Sequence, residues 1–215
     1  MKRLILAAAV AAIAAAPAGA QRQADPDRKV AGGGTLPSGW KGRADEGASL
    51  SGVKMMPMGG GVHFTTGPAG IYYKPKDKAS GTYETRATFT QLQPAAHPEA
   101  YGLIIGGADL EGAGQKYTYF LIRQDGKYLI KRRAGESTPT VADWTDNAAI
   151  RKADSSGKMS NTLAIEVGKD KVRFLVNGTE VTSAETSKVD TAGIAGLRIN
   201  HNLNVHVEGF TVKSR

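Results

Sequence analysis

Between Tyr101 and Arg133 the chain reads YGLIIGGADLEGAGQKYTYFLIRQDGKYLIKRR, two strand-like runs reversed at Asp125-Gly126. Asp-Gly is a strong hairpin signal, because a two-residue type I′ turn needs positive φ at both central positions. With Asp125 and Gly126 in those positions, Gln124 faces Lys127, Ile122 faces Leu129, Phe120 faces Lys131 and Tyr119 faces Arg132. Opposed residues of an antiparallel pair share a face. One face then carries Phe120, Ile122 and Leu129, with Lys131 and Arg133 toward the end, and is the expected core side. The other carries Tyr117, Tyr119, Leu121, Arg123, Tyr128, Ile130 and Arg132. Rings mixed with guanidinium groups suit a partly wet, ligand-facing surface.

The same grammar runs through the rest of the chain. Asn161–Val167 and Lys171–Val176 form a second hairpin across Lys169-Asp170. In that register Leu163, Ile165, Val167, Val172, Phe174 and Val176 share one face, which supports the pairing. Asn177-Gly178 supplies another type I′ turn into Glu180–Thr182. Gly81–Gln93 alternates, with Tyr83, Thr85, Ala87 and Phe89 on one side. Val62–Phe64 and Ile71–Lys74 flank a turn at Gly67-Pro68-Ala69-Gly70. Lys74–Ser80 reads as a charged loop and Ala108–Gln115 as a glycine-rich one. Thr138–Ser156 reads as a long connection holding Trp144, with a helical turn near Ala148–Lys152. Ala192–Asn200 and Asn204–Lys213 are the last strands. Short strands at regular spacing without an amphipathic helix predict an all-β sandwich or barrel. Residues 53–215 read as one domain, preceded by a flexible lead-in with an edge segment at 21–52.

Met1–Ala20 has a basic start, an apolar run and Ala18-Gly19-Ala20, the form of a signal peptide cut after Ala20. Its apolar run is shorter than the ~20 residues of a membrane span, and no later stretch is apolar enough to cross. The expected location is periplasmic or extracellular, with no integral membrane segment after cleavage. The 215 residues carry a formal charge of +8, with Lys2 and Arg3 inside the expected leader. A basic balance mildly favours acidic ligands or an anionic envelope polymer, but a basic proteome or plain solubility is the simpler reading. There is no cysteine, so disulfides, thiol catalysis and thiolate metal sites are excluded.

The order YGLIIGG at Tyr101–Gly107, YTYFLIRQDGKY at Tyr117–Tyr128, a loop tryptophan (Trp144), NTLAIEV at Asn161–Val167, VRFLVNG at Val172–Gly178 and GIAGLRI at Gly193–Ile199 resembles concanavalin A-like jelly-roll domains. Among these it is similar to exported bacterial laminin G-like domains, including 3-keto-disaccharide hydrolase-type domains. The resemblance implies a two-sheet antiparallel jelly-roll sandwich whose concave sheet faces glycans. Its motifs are turns and core strands, so they speak to fold rather than activity.

A glycosidase needs two carboxyl groups flanking the sugar. The jelly-roll glucanases set acids close together on one strand, and no E-x-D-x-x-E pattern occurs here. Asp109 and Glu111 alternate correctly but sit in the glycine-rich loop, where solvated charges are the simpler reading. Calcium at Asp109, as in some laminin G-like domains, would need more oxygen ligands than are evident. His201 and His206 lack a third ligand for zinc. No phosphate loop is present, Asn177-Gly178-Thr179 is explained by its turn, and no recognition helix points to nucleic acid. The leading site is the aromatic–basic face: Tyr119, Arg123 and Arg132, with Tyr101, Trp144 and Arg198 nearby. Rings stack on apolar sugar faces and arginine forks reach hydroxyls or carboxylates. Cross-strand tyrosine–arginine packing is the competing explanation. The sequence therefore favours an exported, non-catalytic module binding carbohydrate or an anionic envelope polymer, without a cofactor. A glycoside hydrolase-type enzyme and a protein-binding envelope module are the alternatives.

Overall fold

The structure, a computed structural model, describes residues 25–215; the expected signal peptide, residues 1–20, lies outside them. Fourteen strands follow one another with only short 3-10 turns between them. In chain order they are β1 Lys41–Ala44, β2 Val53–Met58, β3 Gly61–Thr66, β4 Gly70–Ala79 and β5 Tyr83–Gln91. Then come β6 Ala100–Ala108, β7 Lys116–Arg123, β8 Lys127–Ala134, β9 Thr140–Asp146 and β10 Met159–Val167. The last are β11 Lys171–Val176, β12 Thr179–Glu185, β13 Gly193–Ile199 and β14 Asn204–Ser214.

Two seven-stranded sheets result, ordered β1-β4-β13-β6-β7-β8-β9 and β12-β11-β10-β5-β14-β3-β2. All pairings are antiparallel. The architecture is the two-sheet jelly-roll sandwich that the sequence implies. No helix of the described residues is long and apolar enough to cross a membrane.

Alternation fills the space between the sheets. Tyr83, Thr85, Ala87 and Phe89 of β5 all point inward and are at most 1% exposed. Three aromatic pairs bridge the layers: Phe64 with Tyr72 at 4.8 Å, Phe89 with Tyr101 at 5.3 Å and Phe120 with Phe174 at 5.3 Å between centroids. Each such pair adds about 1 kcal/mol beyond its buried area.

The β10–β11 hairpin has the expected register, Val167 opposite Val172 and Leu163 opposite Val176. Asn177 and Gly178 have φ of 52° and 83°, the type I′ geometry that the Asn-Gly pair favours. Asp125-Gly126 does otherwise. Ile122 pairs with Tyr128, Leu121 with Leu129, Tyr119 with Lys131 and Thr118 with Arg132. Gly126 alone has positive φ, 88°, and its N–H donates to the Arg123 carbonyl at 3.1 Å. The loop is thus three residues, Gln124-Asp125-Gly126, ending in a left-handed glycine.

That slip of one residue exchanges the faces of β8. Tyr128, Ile130 and Arg132 turn inward beside Phe120 and Ile122, whereas Leu129, Lys131 and Arg133 turn outward beside Tyr119. The observed register buries Phe120, Ile122, Tyr128 and Ile130 together in the core, one apolar residue more than the two-residue turn would. Gln124 is held as well: its Oε1 accepts from Gln91 Nε2 at 2.9 Å, and its carbonyl accepts from Ala153 N at 3.1 Å.

Two expected loops are strands. Lys74–Ser80 continues β4, where Lys78 pairs with Ile194. Thr138–Ser156 contains β9, an edge strand whose register against β8 is irregular. Its outward side chains hide the alternation. The turn at Gly67–Ala69 does not close a hairpin, because β3 and β4 lie in different sheets.

Candidate functional site

The outer face of the first sheet carries a second apolar cluster, apart from the core. It includes Ile71, Tyr73, Ile104, Tyr117, Tyr119 and Leu121, with Trp144 packed against them. Arg198 of β13 lies in the middle of it. Its ladder neighbour on β6 is Gly102, so no side chain separates the guanidinium from β7. The Arg198 Cζ sits 5.3 Å from the Tyr119 ring centroid. Nη1 donates to the Tyr117 hydroxyl at 3.3 Å and to Asp45 Oδ1 at 3.2 Å, and Nη2 donates to Asp45 Oδ2.

This pair is fixed in its charged form. Burial works to lower the Arg198 pKa, but Tyr117 and Asp45 outweigh it and the net shift is upward. Burial likewise works to raise the Asp45 carboxyl, yet Arg198, with Arg133 and Arg43 behind it, holds it below the usual range. Tyr119 is raised mainly by its own burial.

The rings themselves are covered: Tyr117 is 1% and Tyr119 7% exposed. The open part of the face is a cleft of about 380 Å³ bordered by Arg43, Gln115, Arg133 and Glu136. Arg43, on edge strand β1, donates from Nη1 to the carbonyls of Leu110 (3.3 Å) and Gly112, which pins the Ala108–Gln115 loop. Arg133 stands opposite Tyr117 in the ladder. Among the described residues its guanidinium makes one long bond, Nη1 to the Glu136 carbonyl at 3.4 Å. Its Nε is buried without a partner. A second cleft of about 500 Å³, lined by Asp27, Asp45, Pro68 and His201, adjoins the first. Gly47 borders both, so the turn after β1 is the wall between them.

The structure thus brings Tyr119, Arg198, Arg123 and Trp144 to one face. At its far edge the Arg123 Cζ lies 4.4 Å from the Trp144 ring, with Arg123 bound to Asp125 at 2.8 Å. Arg132 is not with them. The β8 register turns it to the other side of the sheet, where Nε and Nη2 bind Asp190 at 2.9 and 3.2 Å. Tyr101 is not with them either. It is 0% exposed between the sheets and stacked on Phe89, since β6 alternates from Ala100 and places 101 inward.

Arg43, Asp45, Gln115 and Arg133 were not singled out from sequence. Arg133 was visible in the Lys131-Arg132-Arg133 run, but the assumed turn sent it into the core. Arg43 and Asp45 carry no local signal; only the β1–β4 pairing brings them here.

Calcium does not suit Asp109 and Glu111. Asp109 Oδ2 accepts from Gly114 N at 3.0 Å within its own loop. Glu111 instead binds Lys41 Nζ at 2.6 Å and the Tyr73 hydroxyl at 3.1 Å. The two carboxylates serve separate partners and leave no shared cage of oxygen ligands.

Strand order, the two-layer core and this decorated outer face together define a concanavalin A-like jelly-roll sandwich. No family model matches the sequence, and no curated relative does. Solved structures do match in fold. The carbohydrate binding module CBM66 from Bacillus subtilis aligns with TM-score 0.59 at 13% identity, covering 82% of this chain and 96% of that one. The Bacteroides ovatus mixed linkage glucan GH16, in complex with its product, aligns at 0.56 and 8% identity, covering 80% and 94%. A Bacillus subtilis protein of unknown function with a galectin-like fold aligns at 0.55 and 13%, covering 81% and 89%. Identities this low establish the shared fold alone.

Proposed function

We propose that this chain is an exported carbohydrate-binding module. Its ligand is an acidic polysaccharide of the cell envelope, held without cleavage on the outer, concave face of the first sheet. The observation that carries this reading is Arg133, whose guanidinium makes one long protein bond, to the Glu136 carbonyl at 3.4 Å, beside an open cleft that it shares with Arg43 and Gln115. A guanidinium fork matches a sugar carboxylate in two-point geometry, and Gln115 adds an amide donor and acceptor for hydroxyls. The tyrosines Tyr117 and Tyr119 lie on the neighbouring strand β7, with Tyr117 opposite Arg133 in the ladder. The neighbours whose printed names include a carbohydrate binding module and a product-bound GH16 support carbohydrate as the ligand; its acidic character rests on Arg133 and Arg43.

Asp45 does not suit the role of general acid. A general acid must carry a proton near neutral pH, and Arg198 keeps this carboxyl ionised. The reading is tested on a glycan array that includes uronate-containing and neutral oligosaccharides, with product analysis alongside. Retention of acidic glycans without chain shortening is expected. Binding to neutral glycans alone, or release of shorter products, overturns it.

A further inference from the structure

The turn between β13 and β14 draws three distant segments together. Asn202 there adopts φ of 55°. Its side chain accepts from Arg28 N at 2.7 Å and donates to Asp25 Oδ1 at 3.3 Å and the Pro26 carbonyl at 3.1 Å. Arg28 in turn donates to the carbonyls of Thr66 (2.8 Å) and Leu203. The segment before β1 is therefore laid across the turn, with Asp25 and Asp27 beside His201. Glu99, at the mouth of β6, approaches from the other side.

The donor arrangement is specific. His201 Nε2 lies 2.8 Å from Glu99 Oε1 and 3.5 Å from Asp25 Oδ2. One ligand atom each from Asp25, Glu99 and His201 lies within 4.8 Å of the others. A zinc ion with bonds of ~2.1 Å spaces its tetrahedral donors ~3.4 Å apart, so the 2.8 Å His201–Glu99 contact must open and the rest of the set, within 4.8 Å, must close around the ion. The fourth donor is near: His97 Nε2 is 3.9 Å from Asp25 Oδ2 on a side chain 57% exposed and able to turn inward.

The outer shell points the same way. His201 Nδ1 lies 3.3 Å from Asp27 Oδ1. An N–H given to that carboxylate fits the carboxylate–histidine arrangement of metal sites, with Nε2 exchanging its 2.8 Å hydrogen bond to Glu99 for the ion. Glu99 Oε2 is oriented by Asn200 Nδ2 at 3.2 Å. Asp45, Asp125, Asp190 and Glu166 each have an arginine partner. Asp25, Asp27 and Glu99 have imidazoles as their only ion-pair partners among the described residues, with asparagine amides also donating to Asp25 and Glu99.

We propose that Asp25, Glu99 and His201, with His97 as fourth ligand, bind one zinc ion that clasps the segment before β1 to the end of the sandwich. Imidazole nitrogen beside carboxylate oxygen suits zinc, whereas calcium and magnesium take all-oxygen sets. His201 also borders the 500 Å³ cleft, so the clasp forms one wall of the groove next to Arg133.

Titration calorimetry of the purified protein with Zn²⁺ alone tests this, with thermal melts and the visible spectrum of the Co²⁺ form alongside. One equivalent per chain, a raised Tm and a tetrahedral Co²⁺ spectrum are expected. Glu99→Gln and His201→Ala each lose the site. Asp27→Asn weakens it about 10–100-fold. His206→Ala, whose Nε2 faces Glu208 at 3.3 Å, binds as wild type. Glu99→Gln keeps the side-chain shape, so it stays informative if His201→Ala fails to fold. No zinc uptake, uptake unchanged in Glu99→Gln, or uptake lost equally in His206→Ala overturns the proposal.

Discussion

Arg198 and Asp45 show how one ion pair organises a sheet face. Arg198 is 11% and Asp45 21% exposed at the side chain, so neither charge is well hydrated alone. Asp45→Asn removes one partner and leaves the other buried, a change that costs about 3 kcal/mol. Denaturant unfolding at neutral pH should show that loss. The effect has a defined pH dependence. The folded Asp45 carboxyl titrates below its ordinary value of 3.8. The pair's contribution is therefore complete above that pH and fades as pH falls through the lower folded value. Wild type and Asp45→Asn should converge in stability in acid; a constant gap down to pH 2 would contradict the assignment. Tyr101 makes the opposite case. Its ring is in the core, but its hydroxyl is buried and has no partner among the described residues. Tyr101→Phe removes a desolvated polar atom and should leave Tm unchanged or higher. A drop of several degrees would mean the hydroxyl has a partner.

At the scale of the element, the turns decided what was legible. Asn177-Gly178 and Lys169-Asp170 are two-residue reversals, and both registers follow from the dipeptide and the apolar pattern. Asp125-Gly126 has the same signature, yet tertiary contacts to Gln124 and a better apolar match select three residues. Local turn preference is worth about a kilocalorie, less than seating Tyr128 and Ile130 in the core while Leu129 stays buried in the outer-face cluster. Because strand periodicity is two, that one-residue choice moved the key arginine from position 132 to 133. The clasp was illegible for a different reason: Asp25, Glu99 and His201 lie far apart in the chain, and no spacing rule joins them. Two glycines test the element-level description. A Cβ on Gly102 would lie 2.0 Å from the Phe120 carbonyl oxygen, so β6 and β7 must separate. Gly102→Ala should cost about 3 kcal/mol. Gly178 has open space and φ of 83°. Gly178→Ala should cost only about 1 kcal/mol, from backbone strain. Equal losses in a urea titration would contradict the close β6–β7 approach.

Across the whole molecule, two sheets are joined by three aromatic pairs, and the cleft residues come from separate elements. Edge strand β1 and the turn after it bring Arg43 and Asp45, the loop after β6 is pinned beneath Arg43, and β8 presents Arg133 beside them. The jelly roll was readable from alternation and turns because those are local consequences of strand geometry. The cleft was not, because its residues come from β1, the loop before β7 and the outward side of β8. The central claim is that the outward arginine of β8 grips a sugar carboxylate while the inward one serves the fold. Calorimetric titration of Arg133→Ala and Arg132→Ala with an acidic oligosaccharide retained on the array separates the two. Arg133→Ala should lose affinity at least tenfold with Tm nearly unchanged, and Arg132→Ala should keep affinity while losing stability with its Asp190 pair. Full binding by Arg133→Ala, or loss confined to Arg132→Ala, would contradict the account.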